Sequence, residues 1–174
     1  MLRRRAAYGK NPAVTHAQAA AREIVLAAFV LFMLGLLTLT FEDGQEWMQA
    51  RSMSQAVQRF RDGVGVNKVP FHTIRTYIKH MTNIEYLWVN IAGNVLLFIP
   101  WGLCLPLLWK KYQSVFGVTA MSVVLPIMIE FCQLFVGRTV DIDDVILNFV
   151  GGVLGGLLYL LLRKLFPALG KLAR

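Results

Sequence analysis

Four stretches of this chain are apolar for long enough to cross a bilayer, and that limits the fold before any other feature is weighed. The cleanest is Ile24 to Leu39, IVLAAFVLFMLGLLTL, which contains no charge; the others run over about 87–109, 115–136 and 145–162. A spanning helix needs on the order of 20 mostly apolar residues. In lipid, only a helix or a closed barrel satisfies its own backbone hydrogen bonds. With 56% hydrophobic residues in a chain of 174, the expected fold is all-α integral membrane: four transmembrane helices with an extracytoplasmic amphipathic connection between the first and second.

Three regions follow: an N-terminal segment 1–23, a membrane domain 24–162 and a basic tail 163–174. A basic start before an apolar run also fits a signal peptide. No small-x-small cleavage site follows, however, since the run leads into TFEDGQEW, so an uncleaved first helix is expected. The net charge of +8 does not imply nucleic acid, because the basic residues sit beside apolar runs, as in MLRRR, WKK and LLRK. There they set topology and meet anionic headgroups. The N-terminus, the turn at 110–111 and the tail together hold eleven basic residues and one acid, while the remaining polar segments hold seven basic and nine acidic. Both termini are therefore expected in the cytoplasm, with the long connection outside.

Within that connection Met53, Val57 and Phe60 recur at helical spacing, as do Ile74, Tyr77, Ile78 and Met81. These predict two amphipathic helices at the interface, separated by GVGVNKVPF with its helix-breaking Gly63, Gly65 and Pro70. Pro100 and Pro106 suggest a bent or broken second span. On the expected topology Cys104 and Cys132 fall towards opposite faces of the bilayer, too far apart for a disulfide, and read as packing residues. Gly151, Gly152, Gly155 and Gly156 form two overlaid small-xxx-small pairs, which let another helix approach closely and allow a homodimer through the fourth helix.

The polar residues form the candidate site. On the expected topology Asn90 and Asn94 lie one turn apart in the outer half of the second span, with Glu130 and Gln133 near the outer end of the third. Asp144 lies at the mouth of the fourth, and Asn148 one turn deeper. A carboxylate in a spanning helix costs about 2.5–3.5 kcal/mol on insertion scales, so a chain needing only an anchor has no use for Glu130. Arg138 can hold a phosphate or carboxylate bidentately, or it can neutralise Glu130 or Asp144. Asp141 or Asp143 reads equally as a helix N-cap, and Asp143 is left out of the site on that ground. Asn94 and Asn148 read equally as interhelical hydrogen-bond partners. The ligand-binding set is therefore Asn94, Glu130, Gln133, Arg138, Asp141, Asp144 and Asn148. The acids permit a divalent cation but do not require one, and no metal site or cofactor is expected.

The stretches NKVPFHTI (67–74), NIAGNVLLFIPWG (90–102) and IEFCQLFVGRTVDIDDVILNFVGG (129–152) resemble the VanZ-like family of bacterial membrane proteins. Asn67, Asn94, Glu130, Gln133, Arg138, Asp141, Asp144 and Asn148 match its polar pattern, while Trp101 stands where a small aliphatic residue is expected. The family is named for a member that raises resistance to teicoplanin, a lipoglycopeptide. The resemblance implies a multi-pass envelope protein of the bacterial plasma membrane and brings no mechanism with it. The leading expectation is an outward polar pocket that binds an anionic lipid head or a lipid-linked cell-wall precursor. An intramembrane enzyme using Glu130 and Asp144 as acid/base or metal ligands, or a small lipid or proton-coupled transporter, fits the same residues.

Overall fold

A computed structural model describes residues 12–41, 52–80, 84–136 and 138–173. The basic residues Arg3, Arg4, Arg5 and Lys10, the acidic stretch after Phe41, and Met81 lie outside the described residues. In chain order the elements are α1 (Pro12–Phe41), α2 (Met53–Asp62), β1 (Val66–Asn67), α3 (His72–His80), α4 (Ile84–Leu108), α5 (Val115–Val136), β2 (Val140–Asp141) and α6 (Ile142–Leu165), with short 3-10 turns at Lys110–Tyr112 and Pro167–Lys171. Helices α1, α4, α5 and α6 are each long and apolar enough to cross a membrane, so the chain is a multi-pass membrane protein.

The helices extend beyond several of the expected span boundaries. α1 is helical from Pro12, well before the apolar run, because the AQAAAR that precedes it is rich in good helix formers. α6 starts at Ile142, which places Asp143 and Asp144 in its first turn. α4 is not broken at its prolines: the helix runs through both Pro100 and Pro106. A proline frees only the carbonyl one turn back, whereas breaking the helix in lipid would leave more backbone groups unpaired; near the helix end Gln113 Nε2 donates to the Pro106 carbonyl at 3.2 Å.

α6 is the centre of the bundle, packed along α4 and α5, while α1 touches mainly α4. The glycines explain the close approach. A Cβ on Gly151 or Gly155 would collide with the Val95 or Ile99 carbonyl of α4, and one on Gly152 or Gly156 would run into Ser122 or Val118 of α5. Gly102 of α4 in turn lies against the Gly152 carbonyl. The face expected for a homodimer is thus filled by two helices of the same chain, so self-association would need other residues.

Away from the polar end, Phe29 of α1 stacks on Trp101 with centroids 5.8 Å apart and meets Trp109 edge-on at 5.6 Å. Trp101 fits where a smaller residue was expected, because α1 lies over its ring and its Nε1 donates to the Met121 carbonyl at 3.1 Å. The rest of α1 is largely exposed, Ile24, Leu31, Leu34 and Leu39 included, as befits a surface that lipid would cover. Both cysteines are free; Cys104 is half-buried, whereas Cys132, expected as a packing residue, points out of the bundle.

Candidate functional site

At one end of the bundle the connection between α1 and α4 is clipped onto the loop between α5 and α6. Ser52 and Gln55 cap α2 reciprocally, and Gly63 ends it in the left-handed conformation at φ 70°, which a glycine reaches without a Cβ clash. The chain then runs into β1, which pairs in parallel with β2, Val66 opposite Val140 and Asn67 opposite Asp141. Val140 N donates to the Gly65 carbonyl at 3.0 Å. A short parallel pair such as this joins segments distant in sequence.

The carboxylates hold the clip in place. Glu130 and Asp143 are 5% and 1% exposed, and each accepts from backbone. The Asp141 amide donates to Glu130 Oε2 at 2.9 Å, and the Gln133 amide nitrogen, in the orientation its neighbours require, donates to both Glu130 oxygens at 3.1 Å. Asp141 caps α6, accepting from the Asp143 amide at 2.8 Å. It also accepts from Asn67 Nδ2 at 2.8 Å and from the Thr73 hydroxyl. Asp143 reaches across to α3, where the amides of Phe71 and Ile74 donate to its two oxygens, the latter at 3.1 Å. Phe71 stands at φ 62°, unusual for a bulky residue, with its amide fixed by Asp143. Asn94 Nδ2 on α4 donates to Asp144 Oδ1 on α6 at 2.8 Å. Arg138 ties in α1, donating from Nη1 to the Thr40 carbonyl at 2.9 Å.

These residues enclose two polar spaces. The outer cavity, about 580 Å³, is lined by Thr73 and Tyr77 of α3, Asn90 and Asn94 of α4, Gln133 of α5, Arg138 and Thr139 of the loop, and Asp141, Asp143 and Asp144. Burial pushes the Tyr77 phenol up, with Asp144 and Asp141 adding to it. The inner chamber, about 140 Å³, shares Asn94, Gln133, Arg138 and Asp144 with the outer cavity and adds Glu130, Asn148 and the end of α1 at Leu39 and Thr40. Beyond the wall made by Glu130 and Asp141 lies an apolar groove of about 500 Å³, walled by Val57 and Phe60 of α2, Ile127 and Phe131 of α5, and Val145 of α6. Lys68 lies on its rim, 4.2 Å over the Phe60 ring and donating to the Phe60 carbonyl.

The fold brings all seven expected ligand residues to this one end. Asn94, Gln133, Arg138 and Asp144 line both polar spaces, Asp141 lines the outer, and Glu130 and Asn148 the inner. Asp143, set aside from the sequence as a possible cap, lines the outer cavity and caps α3 rather than its own helix. Thr73, Tyr77 and Thr139 were not foreseen as cavity residues; Tyr77 carried the only signal, as a polar-tipped aromatic on the apolar face of a predicted helix. Among the described residues no three His, Cys, Asp or Glu side chains are grouped so as to hold a metal ion.

A VanZ/LLP1 family model matches residues 26–163, most of the chain. Neither the curated proteins nor the solved structures contain a match.

Proposed function

The chain belongs to the VanZ/LLP1 family, and from that premise we propose that it is an envelope protein of the bacterial plasma membrane whose outward polar cavity binds the head of an anionic lipid or of a lipid-linked cell-wall precursor. Occupancy of such lipids would alter how a membrane-anchored lipoglycopeptide reaches its target, giving low-level teicoplanin resistance. The observation that carries the reading is the cavity of about 580 Å³ at the end of the bundle, lined by hydroxyls, amides and carboxylates around the guanidinium of Arg138. A concave site with a few convergent polar groups is what a ligand needs for orientation, and Arg138 supplies the fork that matches a phosphate. The neighbouring apolar groove suits a lipid too, because it opens among exposed Ile127 and Phe131 on the flank of α5.

The test is lipid retention by purified protein, read by native mass spectrometry, with teicoplanin susceptibility measured in a host at matched membrane levels. Arg138→Ala should weaken phospholipid binding on the order of tenfold, the size of one charge-assisted hydrogen bond, and should abolish protection. Since Arg138 also holds α1, Arg138→Lys serves as the folded control that keeps the charge and loses the fork. Equal binding and equal protection by wild type and both variants would overturn the reading.

A further inference from the structure

The inner chamber holds one buried acceptor that no donor among the described residues meets. Of its side-chain amides, Asn94 gives its nitrogen to Asp144 and Gln133 gives its nitrogen to Glu130. Asn148 is 5% exposed, and its Oδ1 is buried with no hydrogen-bond partner among the described residues. Burying an acceptor unpaired costs about 1–3 kcal/mol, and a leucine at this position would avoid that cost. Among the described residues two carboxyl groups, Glu130 and Asp144, line the chamber beside Arg138 and add their acceptor oxygens to that of Asn148. The chamber is continuous in its lining with the outer cavity, where Arg138 also stands.

We propose that the inner chamber is a subsite for a primary ammonium, so that the lipid selected here carries an amine and a phosphate on one short head group. The proposal rests on the phosphate-binding part of the head-group reading above and narrows its lipid to a zwitterionic, amine-bearing head in place of a net-anionic one. A primary ammonium brings one positive charge and three N–H donors, meeting Asn148 Oδ1 and the two carboxylates together, while Arg138 faces the phosphate. A hydroxyl brings one donor and no charge. A quaternary ammonium brings charge and no donor. At about 140 Å³ the chamber is on the scale of an aminoethyl group and too small for a disaccharide.

The experiment uses the full chain, stripped of lipid in detergent and titrated separately with phosphatidylethanolamine, phosphatidylglycerol and phosphatidylcholine of one acyl length, with bound lipid read by native mass spectrometry. Phosphatidylethanolamine should bind on the order of tenfold more tightly than either of the others. Asn148→Leu should bring the ethanolamine-to-glycerol ratio towards one, and Asn148→Asp should raise it. These opposite directions separate a lost contact from a damaged fold. Free ethanolamine that competes with the lipid would assign recognition to the amine alone, whereas failure to compete would assign it to the amine on its phosphate; the subsite stands in both cases. Equal binding of phosphatidylethanolamine and phosphatidylglycerol, equal binding of phosphatidylcholine and phosphatidylethanolamine, or a ratio unmoved by both Asn148 variants would overturn it, leaving Asn148 to a buried water. If the three lipids bind equally and Arg138→Ala weakens all of them, the head-group reading survives without the ammonium. Binding of none of them overturns the ammonium subsite and leaves the head-group reading only the lipid-linked precursor.

Discussion

Asp143 spends both carboxylate oxygens on amides of a helix some seventy residues earlier in the chain. Asp143→Ala leaves the Phe71 and Ile74 amides without these acceptors, at a cost of about 2 kcal/mol, and the damage should be local. Hydrogen exchange in detergent should show lost protection across 66–80 while α4 and α6 stay protected. Loss throughout the bundle would mean that the clip supports the whole fold. Glu130 separates two roles in the same way. Glu130→Gln keeps an acceptor for the Asp141 amide, while Glu130→Leu keeps none, so thermal melting should fall further for leucine by about 1–2 kcal/mol. A larger loss for glutamine would show that the charge, not the acceptor, holds the loop. The sequence pointed to Glu130 because a carboxylate in an apolar run is conspicuous. It could not rank Asp143 against Asp141, since a cap is defined by partners, and the partners of Asp143 lie in NKVPFHTI and not in its own helix.

At the scale of elements, the long helices follow from apolar length and the short ones from helical spacing in the connection; the clip does not. A two-residue strand pair has no periodicity to read, and GVGVNKVPF looked simply like a break between helices. Its register is set by Gly65, Asn67 and Asp141 meeting across the molecule. The glycines of α6 were legible as packing residues but not as to their partner, because small-xxx-small spacing is the same within a chain and between chains. This gives a contrast between glycines. Gly155→Ala drives a methyl into the Ile99 carbonyl and should cost about 2 kcal/mol or more, or prevent folding. Gly35→Ala meets nothing within 4 Å and should leave the melting temperature unchanged or slightly higher. Equal effects in a detergent melt would show that α6 is not wedged between α4 and α5.

For the molecule as a whole, the side on which the polar end opens decides what can reach it. Four spans put both termini on one side, and the basic residues beside α1, at Lys110 and Lys111, and after α6 favour the cytoplasm for that side. The clip, Thr139 and the mouth of the outer cavity then face outward. In a chain with Cys104 and Cys132 changed to serine, Thr139→Cys should react with a membrane-impermeant maleimide on intact cells, because Thr139 is exposed. Lys111→Cys, exposed in the turn after α4, should react only after permeabilisation. The reverse pattern would place the cavity in the cytoplasm, where an extracellular glycopeptide never arrives, and any effect on teicoplanin would then have to be indirect. With the expected pattern, bound phospholipid should also slow labelling at Thr139→Cys, since Thr139 lines the outer cavity, and the slowing should disappear with Arg138→Ala. Labelling that ignores lipid in both backgrounds would leave the cavity outward but not a site for lipid heads, which separates the orientation of the molecule from its function.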